Sequence, residues 1–483
     1  MICKADTVGV FQIESRAQMS MLPRLKPACF YDLVIEVAIV RPGPIQGGMI
    51  HPYLRRRQGL EPVTYPSKDV ESVLKRTLGV PIFQEQVMKI AMVAAGFTAG
   101  EADALRRSMA AWRRKGGVDQ FRTRLIDGLL ARGYESVFAE AIFRQIEGFG
   151  EYGFPESHAA SFAWLAYVSA WLKRHEPEAF LTALLNSQPM GFYAPAQLIQ
   201  DARRHGVEIE PVDVQYSDWD CQLVRIAADQ ALTKHTTEPV IEDRGQDKVI
   251  VRLGLNQISG LKRDAADRIV LARSRRAFED LKDLAKRAAL DAADLKTLAQ
   301  ADALKSLSGH RHQASWDAAA IKLERDLMAD TTITETELVL LDEPSEAQSV
   351  VADYRHLGFT LGRHPIALLR PALQTLRFAT AGTLADYPSG RLARACGLVT
   401  VRQRPSTAKG IIFVTLEDET GCVNIIVQPA LALRQRRELL QSSLLGVIGV
   451  WQNTQGVRHL LAGRLEDQTA LLGQLNTTSR NFH

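Results

Sequence analysis

Three observations predict a multidomain α+β chain that is mostly helical at first and ends in a β-barrel. Apolar residues recur at helical spacing from Thr7 to about Asp213, broken by glycine and proline turns. A tight turn at Ser259-Gly260 then separates a short helical pattern from a longer one. Beyond residue 376, segments such as LARACGLVTVRQR, IIFVTLEDE and LLGVIGVWQN alternate apolar and polar residues, as strands do. At 483 residues the chain has room for several domains. An apolar share of 46% and a charged share of 24% exclude a disordered or fibrous chain. A formal net charge of +4 is too small to identify a nucleic-acid binder, so local clusters must carry that reading. The five cysteines are scattered and odd in number, which fits a reduced cytosolic compartment better than a disulfide framework. No apolar run reaches membrane-spanning length.

The helical region, residues 1–213, carries the richest stretch, GEYGFPESHAASFAWLAYVSAWLK from Gly150 to Lys173. A glycine-rich turn leads into Pro155 and Ser157, which supply a fixed φ and a hydroxyl able to accept from an orphan amide at a helix start. The helix itself follows, with Ala160, Trp164, Tyr167 and Trp171 at helical spacing. Lys173 and Arg174 fall in its last turn, where cations suit the dipole, and Pro177 stops it. Ser157, His158 and Ser161 occupy the end that favours anions. Two readings stand: a phosphate-facing helix start, or a capped core helix. The segment TVGVFQIES near the start reads as a strand-like or core piece. Upstream of the long helix, RPGPIQGG (Arg41–Gly48) is a rigid loop suited to close backbone approach. Arg41 beside it can meet a phosphate or pair with Glu36. Thr98 and Glu101 have capping-box spacing after the Gly96–Gly100 turn. From Arg106 to Arg124 there are seven Lys or Arg against one acid, Asp119. Such a run is either a solvated helix face or a phosphate-backbone track.

Residues 214–328 form a second region. LGLNQISGLKRDAADRIVLAR has the helix-hairpin-helix pattern, whose turn offers backbone amides to a DNA phosphate without reading sequence. Lys262, Arg263, Arg268, Arg273, Arg275 and Arg276 surround it; a generic pair of helices is the alternative. Residues 329–376 read as an acidic linker and a short helical segment, residues 377–470 as the barrel, and residues 471–483 as a tail. Three strands, a helix (Ala430 to Leu440) and two strands give the order of an OB-fold, a barrel that often binds single-stranded nucleic acid. Phe413 and Trp451 are the obvious aromatic platforms there. Asp218-Trp219-Asp220 has the spacing of a two-metal carboxylate pair, but no third acid joins it and it reads as an exposed turn with its Trp packed inward. No Walker loop, HExxH or GxSxG occurs, and the eleven histidines do not cluster; His310 and His312 read as solvated.

The blocks TVGVFQIES, VAIVRPGPIQGGM, IFQEQVM, ADALRRSM and GYGFPESHAASFA, in this order, resemble the C-terminal half of the alpha-subunit family of bacterial C-family DNA polymerases. The resemblance covers nearly the whole chain. Pro155-Glu156 before Ser157-His158, Phe162 after Ala160-Ser161, and HPYLRRRQG are similar to the error-prone branch used in damage tolerance. That implies that residues 1–213 are polymerase fingers, with Arg106, Arg107, Ser157 and His158 facing the deoxynucleoside triphosphate and Arg41 near it. Arg113, Arg114, Lys115, Ser259, Gly260, Lys262 and Arg263 are then expected on primer-template DNA. The chemistry implied is templated phosphoryl transfer with two Mg²⁺ held by palm carboxylates. In the family those carboxylates precede TVGVFQ, so no catalytic or metal-binding residue is expected within this chain, and the chain alone is expected to be inactive. No clear clamp-binding peptide lies between hairpin and barrel. A separate palm polypeptide and other mutasome proteins are the expected partners, with no membrane involved. The alternative reading is a non-catalytic DNA-binding remnant of such a polymerase.

Overall fold

The computed structural model describes residues 1–40, 50–110, 121–149, 155–191, 193–226, 248–321, 339–405, 408, 410–477 and 479–482. The chain divides into two compact bodies. The first is residues 1–175, with which the turn 454–457 groups; the second is the remainder.

In the first body TVGVFQIES is core and not a strand. Val10 and Ile13 are wholly buried, and the Thr7 hydroxyl donates to the Ile13 carbonyl at 2.7 Å, closing the loop on itself. Ser15 then caps α1 (Arg16–Leu25) through a reciprocal box with Gln18. Helix α2 (Phe30–Ile39) is the central element, buried on every side from Leu33 to Ile39. Its start is fixed by Asp32, which accepts from the Ala28 and Cys29 amides and pairs bidentately with Arg57 at 2.7 and 2.5 Å. Burial alone would raise the Asp32 carboxyl; Arg57 and the two amides pull it below the usual range. Helices α3 (Gln84–Ala95) and α4 (Ala99–Ala110) pack together across a turn at Gly96, whose φ is +71°. The capping box predicted for Thr98 and Glu101 is present, with bonds of 2.7 and 3.2 Å. Helix α5 (Arg122–Ala131) crosses α3 at Gly128, where a Cβ would stand 2.2 Å from the Ala95 carbonyl oxygen. Next come α6 (Ser136–Phe149) and then α7 (Glu156–His175), which lies along α2.

The second body holds a small sheet of β1 (Ile209–Glu210), β2 (Gln222–Ile226) and β3 (Lys248–Arg252) in the order β1-β3-β2. A 3-10 turn (Leu255–Gln257), the Ser259-Gly260 bend and α8 (Arg263–Arg275) complete the predicted hairpin. Two further helices, α9 (Glu346–His356) and α10 (Pro365–Thr375), stand where a short helical segment was expected; much of the acidic stretch before them, residues 322–338, lies outside the described residues. Arg370 of α10 forks onto Glu419 at 2.6 and 2.7 Å and reaches Asp418, which clamps the helix to the barrel.

The barrel consists of β4 (Leu392–Gln403), β5 (Ile412–Asp418), β6 (Gly421–Val427), β7 (Leu444–Thr454) and β8 (Val457–Asp467). Its order β5-β6-β8-β7-β4 closes through a β4–β5 pairing, and β6 and β8 run parallel, as the OB-fold requires. A register shift between Val399 and Val401 bends β4 so that it can pair on both sides. The helical insert predicted between β6 and β7 is broken in two at Gln435. The tail adds a short strand, β9 (Arg480–Phe482), parallel to β4. Trp451, expected as a platform, is instead core: it is 3% exposed among Val414, Ile425, Val447 and Leu460.

Candidate nucleotide and DNA sites

The start of α7 is held by side chains from three other elements, none of them evident in the sequence. Ser157 lies inside the first turn, so its hydroxyl does not supply the cap that the sequence predicts. Instead the Glu156 amide donates to Glu85 Oε2 at 3.0 Å. The Glu156 carboxylate accepts from the Tyr31 hydroxyl at 2.7 Å and pairs with Arg76 at 3.3 Å, while the Arg76 guanidinium stacks 3.7 Å above the Tyr31 ring. Burial, with Glu156 beside it, raises the Tyr31 hydroxyl above its ordinary pKa, so it stays a donor. Tyr31, Arg76 and Glu85 stand 71 to 125 residues from Glu156 in sequence, beyond the reach of any local pattern.

With the helix start so fixed, Ser157 and His158 both face outward. The His158 ring lies 4.2 Å from Phe162, which meets Phe11 edge-on at 5.4 Å. The positive end of a 20-residue helix and two exposed polar side chains therefore share one surface. Arg106 and Arg107 sit near the end of α4. Helix α4 packs on α3, the helix whose Glu85 meets Glu156. Both arginines pair with Asp103, at 2.9 and 3.0 Å, and both remain substantially exposed. Arg41, Arg113, Arg114 and Lys115 lie outside the described residues.

Much of the remaining basic charge is structural. Arg124 donates to the Ala95 and Gly96 carbonyls, Arg122 pairs with Glu140, and the Lys173 ammonium is buried, donating to the Val8 carbonyl at 3.0 Å. Lys173 therefore anchors α7 to the first loop rather than serving its dipole alone. Around the hairpin, Arg268 donates to the Ala288 carbonyl, Arg273 to those of Val214 and Ser217 and to Asp218, and Arg276 pairs with Asp283. Lys262 and Arg263 are left outward, at the start of α8, with Arg263 5.6 Å over the Trp219 ring. Gly260 adopts φ +88° and makes the turn. The Ser259 amide is committed to the His356 carbonyl at 2.8 Å. Changing Lys262 and Arg263 together to Ala is expected to weaken DNA binding about equally on unrelated sequences and to flatten the salt slope by about one to two units. Titration at several salt concentrations checks this; an unchanged slope would make them merely solvated.

The Asp218 and Asp220 carboxylates are both engaged by neighbouring side chains. Asp218 is taken by Arg273 and by Gln222, and Asp220 accepts from Asn256 at 3.2 Å. Trp219 is half-buried rather than packed fully inward. His310 is also not simply solvated: its ring caps the helix that follows it, accepting from the Gln313 amide at 3.2 Å. Among the described residues no three carboxylates approach closely enough to share a metal, and no helix is long and apolar enough to cross a membrane.

A helical body, a hairpin module and an OB barrel define a nucleic-acid-binding protein. Residues 1–133 match the finger domain of the bacterial DNA polymerase III alpha subunit, residues 206–314 a helix-hairpin-helix motif, and residues 393–467 an OB-fold nucleic acid binding domain. The whole chain is 64% identical to the error-prone DNA polymerase of Bordetella bronchiseptica, 60% to that of Alkalilimnicola ehrlichii and 58% to that of Methylococcus capsulatus. It spans 45% of the first two and 46% of the third, less than half the length of these curated relatives. The chain is thus similar along its full length to error-prone DNA polymerases, and residues 1–133 are similar to the finger domain of the bacterial DNA polymerase III alpha subunit.

Proposed function

We propose that this chain forms the nucleotide- and DNA-holding part of an error-prone DNA polymerase, acting in the cytoplasm in damage-induced mutagenesis and translesion synthesis. The observation that carries the reading is identity of 57–64% along the full chain to polymerases of that description. In this reading Arg106, Arg107, Ser157 and His158 bind and orient the triphosphate, with Arg41 beside them. Lys262, Arg263 and the Gly260 turn, together with Arg113, Arg114 and Lys115, hold the primer-template backbone. The engaged Asp218 and Asp220 do not fit Mg²⁺, so the metal-bound chemistry belongs to carboxylates elsewhere in the polymerase. Primer extension tests this, using the chain alone and the chain supplied with the rest of the polymerase, on undamaged and abasic templates. Incorporation only in the restored assembly, including opposite the lesion, is expected. Robust extension by the chain alone that disappears on Asp218→Ala would overturn the assignment of the carboxylates. DNA binding without extension in the restored assembly would favour the non-catalytic remnant.

A further inference from the structure

From Phe162 to Leu172 helix α7 is apolar on nearly every side, yet its buried residues lie on one side. Ala159, Ala163, Ala166 and Ala170 are buried, the side on which α7 lies along α2. On the remaining sides Trp164, Leu165, Tyr167, Val168, Trp171 and Leu172 are exposed, Trp164 to 59% and Trp171 to 46%. From Phe162 to Leu172 there is no charged residue. A surface helix normally turns a polar face to water, and one that is apolar all round belongs in an interior. Small residues inward and aromatics outward is the reverse of the usual order.

The chemistry of this face selects its occupant. A DNA backbone would find no cation on it. An uncharged patch rich in Trp and Tyr has the composition of the centre of a protein interface. Its position says which protein. Ser157, Ser161, Trp164, Val168 and Trp171 follow one another at helical spacing along one row, so the apolar stripe continues directly from the end that carries Ser157 and His158. On the proposed reading that end faces a triphosphate, and the metal-binding carboxylates must stand within a few ångströms of the same phosphates. The part of the polymerase that bears them therefore meets α7 there, and the helix offers it an uncharged surface about 16 Å long from Phe162 to Leu172. More than half of the length of each of the three relatives lies outside the matched segment. We infer that the outer face of α7 is the seat of the carboxylate-bearing part of the polymerase, an inference that rests on the proposed function.

The test co-expresses the tagged full chain with the portion of the Bordetella bronchiseptica polymerase outside the match, as a separate polypeptide whose folding is verified by circular dichroism. The wild-type chain is expected to bind it in a one-to-one complex. Trp164→Ser, Trp171→Ser and Leu172→Ser together are expected to weaken that binding at least a hundredfold. Leu271→Ser, an exposed apolar residue of α8, is expected to leave it unchanged. All variants should keep the wild-type melting temperature and DNA affinity of the isolated chain. The inference is overturned if the triple variant binds as tightly as wild type or if the wild-type chain does not bind the folded polypeptide. It is equally overturned if the chain alone forms a dimer that the same three changes dissolve. Binding with the expected pattern but no primer extension would remove the polymerase reading and leave the interface standing.

Discussion

Arg107→Ala is expected to lower nucleotide use by the restored polymerase by about 2–4 kcal/mol, against about 1–2 kcal/mol for His158→Ala. Arginine brings a full charge and a planar fork to a phosphate, whereas a neutral imidazole donates one hydrogen bond. The geometry places the expected difference at the lower end of these ranges. Arg107 shares Asp103 with Arg106, so a phosphate must draw the guanidinium away from a carboxylate 3.0 Å distant. His158 rests on Phe162 and needs only to keep its place. Both losses should appear in steady-state kinetics against triphosphate concentration and leave a DNA-binding titration nearly untouched. If His158→Ala unfolds the protein, or weakens DNA binding while sparing nucleotide use, the phosphate reading of α7 is wrong and a capped core helix remains.

The helical body is expected to lose stability as pH rises. Glu36 lies in the middle of α2, wholly buried, and neither of its carboxyl oxygens has a hydrogen-bond partner among the described residues. Burial pushes its carboxyl well above the ordinary range. Burial also raises Glu14 to about 7, with the Gly9 amide and Lys173 opposing. An acid whose folded pKa is raised binds more protons folded than unfolded, so stability is highest below the unfolded value near 4.5 and falls as pH climbs through the folded value. For Glu14 the loss runs from about pH 4.5 to 7 and is on the order of 3 kcal/mol. Glu36 continues the decline at higher pH. Glu36→Met is accordingly expected to stabilise the protein by about 2–4 kcal/mol at pH 8, since it removes a buried carboxyl with no hydrogen-bond partner among the described residues. Glu14→Gln should flatten the slope between pH 5 and 7. Urea unfolding of the three proteins at pH 5, 7 and 8 checks both; equal wild-type stability at all three values would refute the linkage.

The sequence made the architecture legible wherever the signal is local. The Thr98–Glu101 box, the Gly260 turn and the alternation in β4 to β8 each depend on neighbours a few residues away, and each is where the pattern put it. The candidate sites were legible by residue type and not by arrangement. Spacing places Trp164 and Trp171 on one side of a helix but cannot tell which side the core will choose; the close approach of α7 to α2 selects alanine. The same limit hid Trp451, which alternates correctly on β7 yet faces inward. A run of arginines likewise reads as one cluster, although Arg122 and Arg124 are consumed by Glu140 and by carbonyls at the end of α3. Tertiary partners decide such cases.

The single hydrogen bond from the Ser259 amide to the His356 carbonyl joins the hairpin bend to the C-terminal end of α9. Arg311 ties the middle of the same helix down, through Asp353 at 2.6 Å and the Ser349 carbonyl at 3.0 Å. A few residues later α10 is bolted to the barrel by Arg370. The hairpin and the barrel are thus linked through two hydrogen-bonded helices. If the barrel holds a single strand, as OB-folds often do, the hairpin and the barrel would be the jaws of a calliper, with the length of nucleic acid between them set by the fold.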